Sequence, residues 1–558
     1  MIATALTAFA ILAWLRPRYA VGALLFLIPF GHLVRFTVAG IPFTFPEFAT
    51  YILAVLFLLR GKLETRNAKL ETNSNFKIRI LSIVSDFGFL RPRRIRLWRR
   101  ISDFLRHSWL LLPIFWVLVA AIAAIGSPAG ARAWGIWKAY MAAPVVLFWI
   151  IRYLVQDRRY TGERLQMTND EFLISNQSPN PNDQKSKFKT SYLLPFAPYL
   201  LLPLTLGALI VAAIAIAQRW WPIGVPYPWV VPGKFRATSV FGYPNAVGLY
   251  LAPLVMVFVG AVLAWRTPSP SRSPSQREGE KKAVSPPPTG RGGVGGWGVR
   301  MGFIGVALLS LFAIILARST GALIALAVAL SVWVCSAWSR RLRKARPTEI
   351  HDREKGWDAR WVTRRAVGVI LVWVLVSLAL TAWLPYRHEQ PKWGPPIIQK
   401  LTFQKWSGSV RLAQYRETWA LLRDHPIRGA GLAGYQQAIR PYHEKQDVEI
   451  FLYPHNLLLA IWSELGLAGL LLFLATLYQF FKFVLVKCQV SGVRCGTAAA
   501  LLALLVHGLV DVPYFKNDLA MLFWVIVAVG TISGAAGTMA SHGPRTAHNL
   551  PPGAPGDR

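Results

Sequence analysis

Long apolar runs separated by short polar breaks repeat along nearly the whole chain, and no other feature restricts its fold so severely. They lie at 1–15, 20–36, 44–60, 108–127, 135–155, 191–217, 238–265, 301–317, 320–338, 366–384, 456–485, 497–511 and 518–536. Such runs match the hydrocarbon core of a bilayer, about 30 Å thick, where every backbone polar group must be satisfied internally. The pattern predicts an all-α polytopic transmembrane helix bundle of about 12–14 spans. The first two runs are short and turn around "RPR", Arg16 to Arg18, as a hairpin. No basic segment and cleavage site precede the first run, which is therefore read as an anchor. Hydrophobic residues supply 54% of the chain and tryptophan occurs 23 times, a composition that excludes an ordinary water-soluble domain.

A net charge of +36 raises the question of nucleic acid, and its distribution answers it. Lysine and arginine concentrate in breaks between apolar runs, above all at 61–107 and 339–365. With positive residues inside, both loops face the cytoplasm. Counting runs then puts 155–190 and 266–300 on the same side, and 218–237, 318 and the long loop 385–455 on the other. No nucleic-acid partner is expected. The chain divides into N-terminal transmembrane helices, 1–217, carrying the inserted basic loop, and a core, 218–536, that includes the large extracytoplasmic loop with short helices. The Pro/Ser/Gly-rich stretch within 266–300, the polar stretch 168–187 and the tail 537–558 are too poor in apolar residues to fold and are expected to be disordered. Cys335, Cys488 and Cys495 have neither zinc-like spacing nor an evident disulfide arrangement.

The outer loop carries the chemistry. "SVRLAQYRETWALLRDHP", 409–426, reads as a helix stopped by proline, with Leu412, Tyr415, Trp419 and Leu422 on one stripe. At roughly 100° per residue, Arg411 lies within about 80° of Leu422, Tyr415 and Trp419 and points toward the packed side. Glu417 and Asp424 fall on the opposite face, as solvated charges. An inward guanidinium needs an anion, unless its stem merely snorkels along apolar surface. "RGAGLAGYQ" matches G-x-G-x-x-G at Gly429, Gly431 and Gly434, but no strand precedes it, so it is read as a glycine-rich turn. "FLYPHN" then leads into the next span, placing His455 at a helix N-terminus, where the dipole and nearby arginines keep an imidazole neutral and able to act as a base. Gly466 and Gly469 lie three apart on the same helix, spaced to admit a neighbouring helix. Glu464 is about 13 Å deeper along that helix and is not the histidine's orienting partner.

Two further arginines reach the same surface. Arg236 precedes the helix entry "FGYPNAVGLYL", and Arg318 interrupts an otherwise continuous apolar run at a tight turn. An arginine in such a place either serves a site or anchors a span end. His507 and Asp511, one helical turn apart, are placed to pair inside the bundle.

The block from Arg411 to Gly469, with its "W..L..DHPI.G.G...Y" followed by His455-Asn456, nine residues, and Gly466-x-x-Gly469, resembles the signature of the O-antigen ligase and polymerase family. The segments around Arg236 and "ARSTGA" are similar to that family's other two recurring patches, and the likeness spans about 230–515. It implies an integral membrane glycosyltransferase of lipopolysaccharide or exopolysaccharide synthesis, multi-pass in the plasma membrane. The glycan would move from a polyprenyl-diphosphate carrier to a lipid or glycan hydroxyl acceptor at the outer face. His455 is then the general base, Arg236 and Arg411 bind the diphosphate with Arg318 as a third, and Tyr453, Asn456, Gly466 and Gly469 support them. No paired carboxylates with metal-binding spacing occur on the outer surface, so no metal and no cofactor are expected. Ligase, polymerase and protein oligosaccharyltransferase differ only in acceptor. A flippase or transporter of lipid-linked saccharides would use the same arginines without chemistry.

Overall fold

A computed structural model describes residues 2–68, 111–156, 197–231, 235–264, 293–344, 406–487 and 492–532. The expected span at 366–384, the stretches 168–187 and 267–292, the tail 537–558, and most of the basic loop 61–107 lie outside the described residues, as does 385–405 of the outer loop.

The apolar runs form helices in chain order: α1 (Ile2–Leu15), α2 (Pro17–Leu27), α3 (Phe45–Ala68), α4 (Leu112–Ile125), α5 (Ala131–Ile136) continued through a π-helical turn (Trp137–Ala142) into α6 (Ala143–Gln156), α7 (Ala197–Ala217), α8 (Pro244–Ala264), α9 (Gly293–Leu316) and α10 (Thr320–Lys344). The outer loop contributes α11 (Trp406–Asp424) and the short α12 (Tyr435–Ala438), and three more helices follow, α13 (Leu457–Lys487), α14 (Gly492–His507) and α15 (Asn517–Thr531). Among the described residues, five helical segments are long and apolar enough to cross a membrane and five shorter ones are apolar. The chain is a multi-pass membrane protein of mostly helical build.

Three local features depart from expectation. The second run stops being α-helical at Leu27, and the chain then makes a small antiparallel hairpin, β1 (Arg35–Val38) with β2 (Ile41–Thr44). The positive-φ pair Ala39-Gly40 supplies its tight turn. Cys495 is disulfide-bonded, which its spacing does not suggest. Close helix approach occurs not at Gly466 and Gly469 but where α8 crosses α14. A Cβ on Gly260 would sit 2.7 Å from the Gly492 carbonyl and from the Gly496 Cα, and one on Gly496 would sit 2.8 Å from the Met256 carbonyl. Small residues here let two apolar helices meet backbone to backbone.

Turns distant in sequence are tied together at one end of the bundle. His32 Nε2 donates to the Val240 carbonyl at 2.6 Å, and Asn517 Nδ2 donates to Thr44 Oγ1 at 2.5 Å. The Leu432 amide donates to the Ala123 carbonyl at 3.1 Å. Beneath the 508–516 turn, the indoles of Trp116 and Trp524 both donate to Tyr514 Oη, at 2.8 and 3.1 Å, while Phe515 stacks on Tyr453 at 4.9 Å. A buried phenol with two indole donors is a rigid base for the turn above it.

Candidate functional site

The loop helix α11 runs from Trp406, close to its expected start, but presents other faces than the periodicity suggests. Leu412 and Trp419 are 41% and 51% exposed, Trp419 meeting Trp462 edge to face at 5.9 Å. Glu417, expected among solvated charges, is only 3% exposed. It accepts the Glu444 amide at 3.0 Å and lies 3.3 Å from His443 Nδ1. The reason is that the chain after α12 folds back over α11 and turns a polar face into an interior one. Asp424 does stay exposed, accepting the Tyr442 hydroxyl at 2.6 Å.

A second buried carboxyl group braces the turn ahead of that fold-back. Glu464, fully buried on α13, accepts the backbone amides of Ala433 and Tyr435, the latter at 3.4 Å. The glycine-rich stretch is thus a turn, as read, and the group its amides surround is a carboxyl of the protein's own. Gly466 breaks helical geometry with φ 68° and ψ −175°, and the Leu467 amide turns to the Ile427 carbonyl at 2.9 Å. The expected helix-packing role of Gly466 and Gly469 gives way to this one, because a β-carbon on Gly466 would collide with Ile427 O. Gly466→Ala should therefore destabilise the protein by more than the ~1–3 kcal/mol of the strained backbone alone. A thermal unfolding temperature in detergent equal to wild type would contradict this.

His455 sits just ahead of α13. Asn456 caps that helix, its Oδ1 accepting the amides of Leu458 and Leu459 at 3.0 and 3.1 Å. The Leu457 amide donates to the Gly508 carbonyl at 2.7 Å. Tyr415 Oη reaches the carbonyls of His455 and Leu509, at 2.7 and 2.8 Å, clamping the histidine backbone to the 508–516 turn. The imidazole is half-buried, with Nδ1 donating to Gln414 Oε1 at 2.7 Å and Phe451 edge-on at 4.9 Å. Burial lowers its pKa below the ordinary 6.5 and Arg411 pushes the same way, against an opposing pull from Asp511.

The three arginines converge. Arg236 Nε donates to Ala317 O at 2.9 Å, and its Nη2 to Asn245 Oδ1 at 2.8 Å and Arg318 O at 3.4 Å, with the Trp229 ring 4.9 Å from the guanidinium. Burial pushes the Arg236 pKa down to about 10, and the neighbouring Arg318 and Arg411 cations add to the shift. Arg318 takes a positive φ of 51° at its turn. Arg411 donates from Nε to Val510 O at 2.9 Å and from Nη1 to Ser407 O at 3.1 Å.

Two groups at the centre were read otherwise or passed over. Asp511, expected to pair with His507, accepts instead the Val512 amide at 2.8 Å and Asn245 Nδ2 at 2.9 Å. Burial opposes ionisation of Asp511, but His507, His455 and these bonds outweigh it and hold its pKa below the usual carboxylate value. Asn245 thus links Arg236 to Asp511, and the signal was the asparagine of "GYPN" beside an arginine-bearing loop. The His507 ring is buried and its Nδ1 has no hydrogen-bond partner.

The family model described as O-antigen ligase matches residues 305–474. The likeness read from the sequence therefore holds over a segment containing Arg318, Arg411, His455, Asn456, Gly466 and Gly469. It supports membrane glycan transfer of the O-antigen ligase and polymerase type. No curated protein matches the chain.

Proposed function

From an O-antigen ligase-like segment in a multi-pass membrane protein, we propose that the chain transfers a glycan from a polyprenyl-diphosphate carrier to a hydroxyl acceptor at the outer face of the plasma membrane. The observation that carries the reading is the convergence of Arg318 and Arg411 on Arg236, which both cations repel and Asp511 attracts, beside one histidine whose pKa burial lowers. A dianionic diphosphate relieves that repulsion, and guanidinium groups suit its oxygens. The acceptor oxygen attacks the anomeric carbon, its proton passes to His455, and the bond to the diphosphate breaks with the arginines neutralising the leaving charge. Asn245 and Asp511 keep Arg236 in place. The positive charge that a divalent ion supplies elsewhere comes from the arginines. Transfer should accordingly be unchanged in EDTA, and a loss restored by magnesium or manganese would overturn this division of labour.

The test of the function itself is incubation of the purified protein with a polyprenyl-diphosphate oligosaccharide, alone and with a lipid-core acceptor. A ladder of products identifies a polymerase and a single adduct a ligase. Movement of the carrier across a vesicle membrane with no product would replace transfer by flipping.

A further inference from the structure

We propose that Gln414 is the positioning residue that keeps the His455 proton on Nδ1 and presents Nε2 to the acceptor hydroxyl. The inference rests on the reading of His455 as the base and extends it to which nitrogen acts and why.

An imidazole is a base only through its unprotonated nitrogen, so something must decide which nitrogen that is. In many enzymes the deciding partner is a carboxylate, which also makes the ring more basic. Here it is a neutral amide. Gln414 Oε1 accepts from Nδ1 at 2.7 Å, and the Gln414 side chain is buried on α11, where rotation is restricted. The next residue, Tyr415, holds the His455 carbonyl, so adjacent positions of one helix fix both the ring and the backbone of the histidine. Phe451 closes one side of the ring. The charged groups facing it are Arg411 from α11 and Asp511 from the 508–516 turn, and Asp511 in turn faces His507 at the end of α14. The carboxylate nearest on α11, Glu417, is engaged by His443 and the Glu444 amide. An amide therefore orients the ring without adding a second negative charge beside a site meant for diphosphate. It also keeps the imidazole from being trapped as imidazolium.

The test uses the full-length protein with 15N-labelled histidine, His455→Ala providing the difference spectrum that assigns the ring. Wild type should show the Nδ1–H tautomer, and Gln414→Leu a mixture of tautomers. Predominance of Nε2–H in wild type, or an unchanged tautomer in Gln414→Leu, would overturn the proposal. Gln414→Glu preserves size and the acceptor but adds charge, so it remains informative if the leucine variant folds poorly. Its acidic limb should move up by about one pH unit or more. An unmoved limb would overturn the proposal too. His455→Ala with full activity would sink the base reading itself, whereas an inactive His455→Ala with a normal Gln414→Leu would sink only the role of Gln414.

Discussion

Replacing His455 with alanine should lower turnover by roughly 10²- to 10⁴-fold, the range for loss of a general acid or base. Folding and binding of the carrier diphosphate should survive. The start of α13 does not use the imidazole: Asn456 caps it and the Leu457 amide is held by Gly508. What the substitution removes is a neutral ring whose Nδ1 is engaged by Gln414. Because burial and then Arg411 lower its pKa while Asp511 only partly restores it, the ring stays deprotonated to a pH below 6.5. The sign follows directly. A base works only when unprotonated, so the wild-type rate should rise with pH through a midpoint under 6.5 and be flat at neutrality, and the residual rate of the alanine variant should lack that midpoint. Initial rates across pH, with carrier affinity measured alongside, check both parts. Near-normal turnover would leave His455 as part of the helix entry and nothing more.

What the sequence made visible is what depends on spacing along the chain. Apolar runs and basic loops dictate the helical bundle, because a bilayer admits little else. The parity of the spans brings the turns at 218–237 and 318 and the outer loop to one side, and hydrogen bonds such as Arg236 to Ala317 and Arg411 to Val510 join elements of that side. Invisible were the features that depend on what folds back onto what. Helical periodicity put Glu417 on an outer face because it treats α11 as having one covered side, and the 435–450 stretch covers another. Gly466 and Gly469 resemble a helix-packing pair in spacing alone. The left-handed backbone of Gly466 shows that a loop carbonyl, not a helix, occupies the space. Asp511 was visible as a charge within an apolar segment, yet its partner Asn245 lies 266 positions away, beyond any local pattern.

Arg411→Lys should be almost as damaging as Arg411→Ala, because the guanidinium acts through its shape. It spans two carbonyls, Val510 O on the turn that carries Asp511 and Ser407 O in the first turn of its own helix. Those bonds hold the group side-on, and in the proposed reading Nη2 is the nitrogen that meets a phosphate oxygen. A lysine keeps the charge but has one nitrogen on a flexible stem, strongly hydrated and unable to reach both carbonyls while meeting a ligand. A hydrogen bond from a charged donor contributes about 1.5–3 kcal/mol. Losing one therefore corresponds to a rate or affinity loss of roughly tenfold to a hundredfold, at tenfold per 1.4 kcal/mol. The contrary case is equally definite: if Arg411 only anchored the loop helix at the interface, a lysine would snorkel as well and activity would be kept. Initial transfer rate and carrier affinity for both variants at matched expression separate the two. A lysine variant within about twofold of wild type, well under 1 kcal/mol, would remove Arg411 from the site and leave the diphosphate to Arg236 and Arg318.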